Sequence, residues 1–328
     1  MAIGSGLGAQ IGVAAESSYG TFVAPTKFPE FTKESLALKK TTATSSGIAA
    51  GRLLPLATRR VVTQREAAGS LDMEVTNKLM GLFLQALMGT TVSPVQQGAT
   101  AAYLQTHTLA DNFGKSLTIQ KGVPLTTGVV QDKTFVGCKI LSAEFSCEAG
   151  GMLQVSFEID GKDCDETQTL AAASYPAMAP FHFGQMALKT GSYGTETALD
   201  GVRKVSVKIE RGMAVDRFYA NASALKKEPI LNELTKITGT LEMDYVSTAI
   251  DDLHTSDAAT SLVWEFVGPI IALTHAETFR IKLPAIKIDD APPTVEGTEV
   301  IRPKFGFTAL YDGTNPVAIE YMSTDVTL

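Results

Sequence analysis

The sequence predicts a mainly β protein made of two tandem units, each a β-sandwich or barrel with one helix. Three observations carry that expectation. Residues 69–75 read GSLDMEV and residues 239–245 read GTLEMDY, the same run of a Gly, a small hydroxyl residue and then alternating apolar and acidic side chains. Alternation with period 2 recurs along the chain, and in a strand it sends every second side chain to one face. The elements also follow one order in both halves: strand, long polar loop, Gly-led strand, helix, strand, closing hairpin.

In the first half the alternation predicts strands at SLALK (35–39), SLDMEV (70–75), SLTIQK (116–121), KILSAEFSCE (139–148) and MLQVSFEID (152–160). In the second half it predicts VSVKIE (205–210), TLEMDY (240–245), SLVWEFV (261–267), TFRIKL with AIKID (278–289) and KFGFTAL (304–310). The hairpin openings match as well, KTF at 133–135 and ETF at 277–279. Gly69 and Gly239 lie 170 residues apart but Phe135 and Phe279 only 144, so the first half holds an insertion of 26 residues, placed in TTVSPVQQGATAAYLQTHT after residue 89.

One helix follows each Gly-led strand. NKLMGLFLQALMG (77–89) offers Asn77 as N-cap and sets Leu79, Leu82, Phe83 and Leu87 at helical spacing. VSTAIDDLHTS (246–256) is weaker, with Val246, Ile250 and Leu253 on a common side. Both read as core-facing helices closing a sandwich. The domain plan is an N-terminal arm (1–25) for contact between subunits, a first unit (26–166), an Ala-rich linker with Pro176 and Pro180 (167–180), and a second unit (181–328). An arm with little core of its own is ordered only where a neighbour holds it.

Composition narrows the function. The 328 residues are 45% apolar and 19% charged, the values of a globular protein. A formal net charge of -7 argues against a surface that attracts nucleic-acid phosphates or anionic lipid. Cys138, Cys147 and Cys164 cannot all pair within the chain and lack the spacing of a metal knuckle, so they read as reduced thiols. The N-terminus lacks the basic start and apolar core of a secretory signal. The richest apolar run, 78–89, is well short of the ~20 residues that cross a bilayer.

Catalytic and cofactor signatures are missing from the pattern. His107, His182, His254 and His275 stand apart from one another and read as scattered surface or loop residues; no HExxH or GxSxG occurs. Gly4, Gly6, Gly8 and Gly12 have no strand before them and read as a flexible arm rather than a phosphate loop. DCDE (163–166) and the pair Asp289 and Asp290 lack the spaced ligands of a calcium loop and read as solvated hairpin ends. No catalytic, cofactor or metal site is predicted.

Two patterns remain. Asp72, Glu74, Glu144, Glu148, Glu158, Asp160, Glu242 and Asp244 occupy the polar register of their strands, opposite apolar residues such as Leu71, Phe145, Phe157 and Leu241. The alternation therefore predicts a sheet with one apolar and one acidic face, either an ordinary solvated face or one that repels phosphate at close range. The long loops 41–62 and 210–234 fall at the same place in each half and mix cations with apolar anchors. Arg52, Leu53, Leu54, Leu56, Arg59, Arg60, Met213, Phe218 and Tyr219 make that mixture, which suits docking onto a neighbouring subunit.

GLGAQIGVAAESSYGT (6–21), FPEF (28–31), ESLAL (34–38), the paired Gly-led strands with their helices, and the closing hairpins together resemble the tail tube proteins of long-tailed bacteriophages. The resemblance implies a non-enzymatic virion protein whose inner sheets join between subunits into a closed ring barrel, with rings stacked into a tube through which double-stranded DNA passes. It implies tape measure, tail terminator and distal tail proteins as partners, no membrane association of its own, and assembly in the host bacterial cytoplasm. The family's usual ring has six single domains. Two units per chain favour a trimer with six-fold pseudo-symmetry and leave the hexamer open. The rival is a β-sandwich module that recognises cell-surface carbohydrate, for which 7% aromatic residues and a single Trp are a poor endowment.

Overall fold

The computed structural model describes residues 4–289, 295 and 297–328. The first half contains β1 (Gln10–Ala15), β2 (Ala37–Thr44), β3 (Arg60–Glu74), α1 (Gly81–Met88), β4 (Tyr103–Thr108), β5 (Leu117–Pro124), β6 (Val130–Glu148), β7 (Gln154–Gly161) and β8 (Asp163–Asp165). The second contains β9 (Met186–Gly191), β10 (Val202–Glu210), β11 (Lys236–Met243), α2 (Ala249–Ser256), β12 (Thr260–Ala272), β13 (His275–Ile288), β14 (Lys304–Leu310) and β15 (Ala318–Ser323). Each strand expected from alternation overlaps one of these, and the chain is mainly β with a helix after each Gly-led strand.

One pattern of antiparallel pairing occurs twice. In the first half β1 pairs with β5, β5 with β6, β6 with β7 and β8, β7 with β3, and β3 with β2. In the second half β9 pairs with β12, β12 with β13, β13 with β14 and β15, β14 with β11, and β11 with β10. Two ladders cross between the halves: Ser142–Glu148 of β6 with Lys204–Glu210 of β10, and β4 with β15. The result is one large sheet that stays open in the single chain, with no ladder closing it into a barrel among the described residues.

The repeated GS/GT motif has a steric cause. A Cβ on Gly69 would stand 2.5 Å from the Ser35 carbonyl oxygen, and one on Gly239 would stand 2.5 Å from that of Ser206 and 2.2 Å from the Phe307 ring. Glycine lets the neighbouring strand approach at both places. The hydroxyl that follows completes a matching bridge, Ser70 to Ser35 at 3.0 Å and Thr240 to Ser206 at 2.8 Å. The apolar side of this sheet and α1 bury a continuous core: Phe83 stacks on Phe157 at 5.2 Å, and Phe145 meets Phe279 of the other half at 5.5 Å.

Several expectations need correction. Residues 10–15 are not an unsupported arm: Ile11 and Val13 are fully buried on β5, and Glu16 accepts hydrogen bonds from Ser116, Thr118 and the Gly137 amide. Asn77 does not cap α1. Its side chain instead links the Ala179 amide to Glu277, and the helix begins at Gly81. The expected insertion contributes β4, which extends the other half's sheet along β15. His107 on β4 is no surface or loop residue: it is fully buried, with Nε2 3.2 Å from Gln105 Oε1. Asp290 lies outside the described residues.

Burial lowers the His107 imidazole from its ordinary 6.5 to about 4, so the folded chain holds it neutral. The unfolded chain takes up that proton first, so the stabilisation is complete above pH 6.5 and is lost as pH falls towards 4. His107→Gln is expected to flatten this acid limb, worth up to about 3 kcal/mol, as measured by chemical denaturation at pH 7, 5.5 and 4.5. Gly239→Ala is expected to lower stability by about 2 kcal/mol or more, because strand and ring must both move; an unchanged melting temperature would contradict the steric account.

Candidate functional site

The polar side of the joined sheet runs without a break across both halves of the chain. Pairing register sets Asp72, Ser156, Glu144, Lys208 and Thr238 in one row across β3, β7, β6, β10 and β11. Beyond an intervening row of Ser146, Ser206 and Thr240, a further row carries Glu148, Lys204, Glu242 and Lys304. Because side chains alternate, Leu71, Phe157, Phe145, Val207 and Leu241 lie on the opposite, fully buried side. The β6–β10 ladder is what makes the face continuous, since it puts the acidic strands of both halves side by side.

Glu144, Glu148 and Glu158 are exposed, and Asp72, Glu74, Glu242 and Asp244 are partly exposed. Short polar bonds hold several in place: Ser156 donates to Asp72 at 2.5 Å, and Ser142 to Glu158 at 3.1 Å. The cations of β10 share this face with the carboxylates. Lys204 pairs with Glu148 at 2.9 Å, and Lys208 stands beside Glu144 and Glu210. The face is thus mixed, with carboxylates in the majority and lysines down its middle. Asp244, just past β11, is drawn to Arg302 at 3.1 Å.

Asp160 departs from the expected exposed row. It is buried beneath Lys226, itself fully buried, which also reaches Glu66 at 2.9 Å. Burial lifts the Asp160 carboxyl to about 6 although Lys226 pulls the other way. The lysine comes from the long connection between β10 and β11, which lies across the first half. In the same segment Arg211 donates to the carbonyls of Met88 and Ala110, and Glu228 pairs with the buried Lys139 at 2.8 Å. Burial holds the Lys139 ammonium below its ordinary value while Glu228 opposes that shift.

The two long loops therefore differ in state. Met213 and Phe218 are partly buried against their own chain, and Tyr219 is exposed. Every residue from 51 to 63, including Arg52, Leu53, Leu54, Leu56, Arg59 and Arg60, is exposed. Pairing chemistry was legible only as a mixture of charged and apolar types. The asymmetry between the loops depends on partners far away in sequence.

Other chemistry is weakly provided for. Among the described residues no group of three or more His, Cys, Asp or Glu could hold a metal ion. Asp163 and Glu166 of the DCDE run are paired with Arg65 and Lys133, each within 2.9 Å. Trp264 is fully buried, so the one indole is not offered to a glycan. The three cysteines are buried and unbonded. No described helix is long and apolar enough to cross a membrane.

The model of a family described as phage tail tube protein matches residues 6–309, nearly the whole chain. Among curated proteins none matches.

Lys226→Met is expected to destabilise the fold by about 3 to 5 kcal/mol, because Asp160 is left buried without its partner. Asp160→Asn in the same chain should restore part of the loss. Denaturation midpoints of the two single variants and the double variant give the coupling, and additive losses would show that the pair is not one unit.

Proposed function

The chain belongs to the phage tail tube protein family, and from that premise we propose that its copies close into rings that stack as the wall of a tail conduit. Membership makes it a structural component of the virion tail that assembles with itself and with other tail proteins. The family is not known for catalysis.

The observation that carries the ring reading is the pairing pattern written twice and joined edge to edge by β6 and β10. We read residues 26–166, with β1 packed onto them, and 181–328 as two copies of one tube unit, with 167–180 as the linker. β2 is the first copy's counterpart of β10. Among the described residues β10 has strands on both sides, whereas β2 has only β3. An unpaired edge is a template for another strand, and closing a ring removes such edges. Three chains then supply six units, with every second junction made inside a chain; a hexamer of chains is the alternative closure.

In that ring the polar face lines the bore. Its carboxylates repel phosphate within a Debye length of about 8 Å, while Lys204, Lys208 and Lys304 keep the field moderate. Stacking rings requires head-to-tail contacts, which build filaments. Tape measure, terminator and distal tail proteins are the expected neighbours along the tube, and the host bacterial cytoplasm the place of assembly.

Electron microscopy of the purified chain is expected to show rings or tubes with six-fold pseudo-symmetry; a dispersed monomer at every concentration would overturn the reading. Phage carrying Asp72→Lys, Glu74→Lys, Glu144→Lys and Glu158→Lys are expected to build normal tails yet deliver DNA at least about tenfold less efficiently, since each reversal adds a phosphate attraction. Normal delivery would remove this face from the bore.

A further inference from the structure

The two β2–β3 and β10–β11 connections start and end at matching points. Leu36 corresponds to Val207 and Glu66 to Lys236 through the shared Gly69 and Gly239, and the spans differ by one residue. Yet only the second is seated. Arg211 is 1% exposed on two backbone carbonyls, and Lys226 and Glu228 are buried against Asp160 and Lys139. In Arg211's place the first connection has Lys40, which is exposed. Beyond it Ile48 is 100% exposed and Leu53 96%, and Arg52, Arg59 and Arg60 form no ion pair among the described residues.

The seat also occurs twice. Lys139 faces Asp160 across the β6–β7 ladder, and Lys287 takes the same position opposite Thr308 on β13 and β14. Lys139 lies fully buried under Glu228. Lys287 is 34% exposed and, among the described residues, is paired only with the exposed Asp257 at the end of α2. Asp289 stands exposed two residues beyond Lys287 and accepts a hydrogen bond from Thr308, and Leu310, two residues past Thr308 on the same side of β14, is 44% exposed. This seat is acidic with an apolar edge, whereas residues 41–65 contain Arg and apolar side chains and no carboxylate.

We propose that residues 41–59 of one copy pack across the α2, β13 and β14 ends of a second copy, as residues 211–235 pack across the first half of their own chain. This rests on the ring reading and names the contact that accompanies the closing strand pair. A second copy is the occupant because β2 and β14 are six strand spacings apart in one chain, about 30 Å. Within a chain the equivalent seat is taken by 211–235, so between chains it falls to 41–59. The charges match in sign, and the apolar side chains left bare on the arm meet Leu310 and its surroundings.

Two variants test the pairing. One replaces 46–57 with a short Gly-rich turn and keeps the seat; the other carries Asp257→Lys and Asp289→Lys and keeps the arm. Circular dichroism and melting curves first establish that both fold. In sedimentation each alone is expected to self-associate at least about 30-fold more weakly than the unaltered chain, whereas an equimolar mixture forms a 1:1 dimer through the one intact arm and the one intact seat. If either variant assembles like the unaltered chain, or the mixture stays monomeric while the unaltered chain assembles, the docking is wrong and the ring reading stands. Failure of the unaltered chain to assemble brings down both.

Discussion

A strand edge with unpaired amides and carbonyls must be satisfied by something, and the fold turns on how that demand is met. Inside the chain the demand is answered by the ladder of Ser142–Glu148 with Lys204–Glu210, which welds two like sheets into one. That single join aligns the polar rows of both halves. It also brings the β10–β11 connection over the first half and lets Phe145 and Phe279 share a core. Without it the halves would be two sheets with two open borders each.

Much of this was legible because alternation is a local property. The strands of the joined sheet read directly from period 2, and the matched Gly-led motifs located the repeat. The motif itself proved informative at atomic scale: Gly69 and Gly239 admit a neighbouring strand, and Ser70 and Thr240 bridge to it. Other features left no local trace. β1 and β4 are short and mixed in character, and they become strands only because β5 and β15 offer edges. His107 looks like any loop histidine until β15 covers it.

The acidic face was legible in register but not in balance. Alternation placed Asp72, Glu144, Glu158 and Glu242 correctly on one side, since register follows from burying the other. It said nothing of which strand would stand beside β6. The placement of Lys204 and Lys208 beside β6 therefore left no local trace, and neither did the burial of Asp160 under a lysine 66 residues away in sequence. A buried ion pair of this kind adds little net stability when intact, yet removing one partner leaves the other charge stranded at a large cost.

The ladder between β4 and β15 has a consequence for the order of events in the cell. It joins Tyr103–Thr108 to Ala318–Ser323, so a strand made early must wait for one encoded far downstream. Such remote pairings are slow to form, and residues 103–108 stay without a partner strand until nearly the whole second half has been made.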